Sequence, residues 1–126
     1  MKAAIMAAVA MMSLSGVAQA ADVLAAGGLF GGPAQKSAVC FVYNGGLANV
    51  TITPPRIYGG TGFALPPTSN NCGTTLAPGT ICRVQVVADN LPYSCRTTVS
   101  PAKTDVRGMF EVRDANGVVL QNIALR

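Results

Sequence analysis

The feature that most constrains this chain is a succession of short β-branched segments cut apart by Gly, Pro and Asn-Gly turns. No window after residue 20 carries a sustained 3.6-residue apolar repeat. Ile81–Ala88 (ICRVQVVA) is the clearest segment. Cys82, Val84, Val86 and Ala88 fall on one side, and Arg83, Gln85 and Val87 on the other, which is the two-residue period of a half-buried strand. Tyr93–Ser100 repeats the pattern with Cys95, Thr97 and Val99. Val106–Arg113 sets Val106, Gly108, Phe110 and Val112 inward, with Arg107, Met109, Glu111 and Arg113 outward. Ser37–Tyr43 and Ala48–Thr53 precede them, ended by Asn44-Gly45-Gly46 and by Pro54-Pro55, since proline donates no ladder bond. Asp114-Ala115-Asn116-Gly117 reads as a hairpin loop before a final strand, Val118–Leu125. This spacing predicts an all-β, antiparallel β-sandwich of about seven strands over residues 37–126, with an immunoglobulin-like arrangement leading and a small Greek-key barrel as the alternative.

The 126-residue chain opens with Lys2, an apolar run Ala3–Leu14 and a small-residue end, Ala18-Gln19-Ala20. That layout predicts a signal peptide over residues 1–20, cleaved before Ala21. Its apolar run is too short to span a bilayer as a helix. No later segment has the length or apolarity to cross, so no transmembrane segment remains after signal removal. The expected location is periplasmic or secreted. Residues 21–36 (ADVLAAGGLFGGPAQK) read as a flexible Gly/Ala-rich lead-in.

The chain has no histidine and no tryptophan, and only five acidic residues. Ser37, Ser69, Ser94 and Ser100 therefore have no imidazole base, and Asp89, Asp105, Glu111 and Asp114 read as strand-end and turn acids rather than a glycosidase pair. Four cysteines, Cys40, Cys72, Cys82 and Cys95, lack both the close C-x₂-C spacing of a zinc site and the C-x-x-C of a redox motif. An even number in an oxidising compartment predicts two structural disulfides. The expectation is a protein that is not an enzyme, with no metal and no cofactor. Net charge is +4 and falls to +3 once Lys2 is cleaved off. That field is weak, and no stacking aromatics stand beside the basic residues, so nucleic acid is not an expected partner.

The stretch Asn71–Val86, NCGTTLAPGTICRVQV, resembles a signature of bacterial Ig-like domains of the ASPM/SPD-2/Hydin type. Asn71, Cys72, Gly73, Leu76, Gly79, Cys82, Val84 and Val86 fall on that pattern. The match covers about 16 residues and implies a fold rather than a role. Past Val86 the chain departs from it, running Val87-Ala88-Asp89-Asn90. The whole chain also resembles small exported proteins of Gram-negative bacteria. In the same stretch Pro78-Gly79 turns the chain back, so that Cys72 can meet Cys82, which leaves Cys40 for Cys95.

Three surface features complete the reading. Arg83, Arg96, Arg107 and Arg113 are placed so as to share one outer face if their strands are neighbours. Tyr43, Tyr58 and Phe63 are candidates for an aromatic patch, although such residues more often fill a core. The strand Val118–Leu125 is a candidate bare edge, open to a partner's sheet. The function these features point to is a non-catalytic exported module acting through contacts with an unknown protein or envelope partner. The alternative is binding of a small ligand or carbohydrate through the Gly/Pro-rich loops Asn44–Leu47 and Gly59–Asn71.

Overall fold

Alternation of side chains decides which way each strand faces, and the strand neighbours decide what each face meets. The computed structural model describes residues 21–126; the expected signal peptide, residues 1–20, lies outside the described residues. Among the described residues the strands are β1 (Asp22–Leu29), β2 (Ser37–Asn44), β3 (Val50–Ile52), β4 (Arg56–Gly59), β5 (Phe63–Ala64) and β6 (Ser69–Asn70). They continue with β7 (Thr75–Leu76), β8 (Ile81–Val87), β9 (Tyr93–Ser100), β10 (Val106–Arg113) and β11 (Val119–Leu125). All pairings are antiparallel.

The first sheet is organised around β9. One edge of β9 carries β1, and the other carries β4 and then β3 in tandem, with Ile57 opposite Cys95 and Ile52 opposite Val99. The tandem is broken at Pro54-Pro55, where neither residue has an N–H to give. β5 extends β4 and β7 extends β3. The second sheet runs β11-β10-β2-β8-β6. The inward residues pack between them: Cys40, Val42, Val84, Phe110 and Val112 from one sheet against Leu24, Ile52, Ile57, Cys95 and Val99 from the other. Each large side chain so buried contributes about 1.5–3 kcal/mol.

The Cys40–Cys95 disulfide joins β2 to β9, and so ties the middle strands of the two sheets. The Cys72–Cys82 disulfide is local, holding the passage between β6 and β7 onto β8. That passage crosses from one sheet to the other. Asn71 Oδ1 accepts the Arg83 N–H at 2.7 Å and Asn70 Oδ1 accepts the Cys72 N–H at 2.9 Å. On the opposite side, Ala25 and Arg126 exchange backbone hydrogen bonds of 2.9 and 3.0 Å. The architecture is a two-sheet antiparallel sandwich, not a closed barrel, and both expected disulfides are present.

Residues 21–36 correct one expectation. The segment anticipated as a flexible lead-in contains β1, paired with β9 from Asp22 to Leu29. Leu24, Ala26 and Leu29 are buried in the core. The register shifts between Ala26 and Leu29, where Gly27-Gly28 form a bulge that brings Leu29 back to the inner side. Small side chains and two glycines weaken the strand signal of this stretch, and the edge of β9 supplies the pairing that makes it a strand. The total exceeds the expected seven because β1 joins the domain and because β5, β6 and β7 are two-residue pieces.

Two buried polar side chains do work that alternation could not announce. Gln35 Nε2 donates to Asp89 O at 2.7 Å and Leu91 O at 2.9 Å, while its Oε1 accepts the Gly31 N–H at 2.9 Å. Asn44 Nδ2 donates to Ala48 O and Leu76 O, and its Oδ1 accepts the Gly46 N–H. Each satisfies loop backbone groups that burial would otherwise leave unpaired.

Candidate binding surface

Antiparallel register turns outward-facing residues into rows. On the outer face of the second sheet, Tyr43 stands between Arg107 on β10 and Ile81 on β8. Phe41 stands between Met109 and Arg83, and Val39 between Glu111 and Gln85. An outer sheet face normally carries polar residues at such positions. Here Tyr43 is 41% exposed, Met109 42% and Ile81 60%. Together with half-buried Phe41 they line an open groove of about 330 Å³, flanked by Arg107 and Glu111.

Charge on this face is unbalanced. Glu111 accepts two hydrogen bonds from Arg113, at 2.9 and 2.6 Å, and Arg113 also lies over the Phe41 ring with its guanidinium carbon 5.7 Å from the centroid. That is the only ion pair among the described residues. Arg107 donates to the backbone carbonyls of Thr104 and Val106. Among the described residues Arg83 has no carboxylate partner, so the face offers free positive charge beside an apolar floor.

The structure sorts the sequence candidates into separate places. Arg83, Arg107 and Arg113 share the outer face of the second sheet; Arg96 does not, because β9 belongs to the first sheet, where Arg96 stands opposite Arg56. The aromatic trio divides likewise, with Tyr43 on the second sheet and Tyr58 and Phe63 on β4 and β5 of the first. Loop Asn44–Leu47 lines a recess with Pro101 and Asp105, whereas Leu65–Pro67 line a different recess with Pro54, Pro55 and Arg56. The two loops do not build one site. β11 is one edge of the second sheet, as anticipated for Val118–Leu125, but that edge is not bare along its whole length, because its end is bonded to β1 through Arg126.

The acids are dispersed. Asp89 and Asp105 sit in the loops on either side of β9, Glu111 lies on β10, and Asp114 caps the β10–β11 hairpin by accepting the Asn116 and Val118 N–H groups at 2.9 Å. Among the described residues no three His, Cys, Asp or Glu side chains come together as metal ligands. Among them, too, no helix is long and apolar enough to cross a membrane.

Sequence reasoning did not single out Phe41, Ile81 and Met109 as a surface. Parity was legible for Met109 and for Ile81 beside Arg83, whereas Phe41 lies in a strand apolar on both sides. The adjacency of all three depends on the order β10-β2-β8, in which three strands distant along the chain become neighbours. No protein-family model matches the chain, nor does any curated protein or solved structure.

Proposed function

We propose that this is an Ig-like binding module, exported to the periplasm or secreted, that acts without catalysis through contact with a protein of the cell envelope. Kinship with ASPM/SPD-2/Hydin-type domains, carried by the Asn71–Val86 run, belongs to the same proposal. Two disulfides are consistent with an oxidising, extracytoplasmic compartment. The observation that carries the reading is the apolar groove of Phe41, Tyr43, Ile81 and Met109 on a sheet face. Apolar surface left in water on a face that would normally be polar marks an interaction site.

Charge complementarity selects the occupant. The groove is bordered by arginines, and the one acid on the face is already paired with Arg113. A second copy docked face to face would set arginines against arginines. A partner segment with an apolar side chain for the groove and a carboxylate for Arg107 or Arg83 fits both properties.

The test is peptide display against the disulfide-bonded domain, followed by titration of enriched peptides. The expected outcome is a motif of aromatic or aliphatic residues beside Asp or Glu, whose binding is lost in Tyr43→Asp and in Met109→Asp. Peptides that bind both variants undiminished, or a library that yields no binder, would overturn the proposal.

A further inference from the structure

The opposite face of the sandwich carries a second constellation, independent of the groove. Arg56 on β4 and Arg96 on β9 are direct cross-strand partners on the outer face of the first sheet. Like charges in that position repel and weaken the sheet. The outward positions around them hold Ser94, Thr98 and Ser100 on β9, Thr51 on β3 and Val23 and Ala25 on β1, with no acid. Neither guanidinium hydrogen-bonds to another described residue, whereas Arg107 and Arg113 both do. Each therefore presents five unspent N–H donors.

The surroundings give the pair a shape. One recess of about 200 Å³ is walled by Arg56, Arg96, Tyr58, Thr53 and Thr98. A wider one of about 450 Å³ adjoins it, with Ala25, Gly27 and Ser94 as a low floor and Tyr58 and Arg96 as its sides. Tyr58 and Arg96 belong to both. The hydroxyls of Thr53 and Thr98 lie 2.5 Å apart, hydrogen-bonded to each other. The base is rigid, because β9 is paired along both edges and Cys95, beside Arg96, is in the inter-sheet disulfide.

We infer that the Arg56–Arg96 pair with Tyr58 is a binding site for an acidic saccharide. The guanidinia take a sulfate, phosphate or carboxylate group, and Tyr58 lies alongside the sugar ring over the small-residue floor. Two planar guanidinia held side by side each offer paired N–H donors to the several oxygens of such a group. The bound oxyanion removes the repulsion between the two arginines. The adjoining floor leaves room for a ring that a free inorganic ion would not fill.

The experiment is calorimetric titration of the disulfide-bonded protein with a sulfated oligosaccharide and with a carboxylated one. A neutral glucan and inorganic sulfate are titrated in parallel. Binding of an acidic saccharide, weakened as salt rises, is expected. Arg56→Gln and Arg96→Gln each lower the affinity roughly tenfold. Tyr58→Ala weakens the saccharide but not inorganic sulfate, and Arg83→Gln changes neither. Melting temperatures of the two arginine variants stay at or above that of the parent, which separates lost binding from lost folding. Equal affinity for the neutral glucan, sulfate binding with no saccharide binding, or an Arg83→Gln loss as large as that of Arg96→Gln would each overturn the assignment.

Discussion

Gly108 lies on β10 opposite Leu125 of β11 and Val42 of β2. A Cβ there would run into the Leu125 side chain, including its Cβ at 2.9 Å. Gly108→Ala is expected to destabilise the domain by about 1–3 kcal/mol, as overpacking does, and urea melts read this directly. Gln35 is 1% exposed and tied to three backbone groups. Gln35→Leu keeps the volume but strands those groups, so a loss of at least about 2 kcal/mol is expected in the same melts. Neither residue announces its role in sequence. Gly108 sits where alternation wants a core residue, and Gln35 sits where composition reads a loop. What each meets is set by β11 and by the β8–β9 loop, which are distant in the chain.

Elements differ in how much they depend on one another. The two disulfides close spans of 55 and 10 residues. Loop-closure entropy then favours the longer bridge, about 4 kcal/mol against about 2.5–3. A Cys40→Ala/Cys95→Ala double variant is expected to lose more stability than Cys72→Ala/Cys82→Ala, compared by paired thermal melts in which no thiol is left free. Equal losses would count against the loop-length account. β1 provides the second element-scale case. Removing residues 21–30 strips Leu24, Ala26 and Leu29 from the core and bares one edge of β9. Such a truncation is expected to lose the cooperative unfolding transition in circular dichroism, which a dispensable tail would retain.

At the scale of the whole molecule, the two outer faces carry different chemistry. One is an apolar groove rimmed by arginine, and the other a small-residue floor beside two adjacent arginines. Variants on one face are expected to leave binding at the other unchanged, measurable by titrating peptide and saccharide together, because the core between them is tied at Cys40–Cys95. The sequence by itself determined the long strands β2, β8, β9 and β10, the two sides of the last three, the Asp114 hairpin and both cysteine pairs. Those follow from a local two-residue period, from turn chemistry and from the Cys72–Cys82 spacing, none of which needs strand order. Only the tertiary structure decided that β1 belongs to the sandwich, that Arg96 joins Arg56 rather than Arg83, Arg107 and Arg113, and that Phe41, Ile81 and Met109 become one surface. These depend on which strands lie side by side. Lateral pairing in an antiparallel sandwich is a long-range choice, made by burial and register across the whole core.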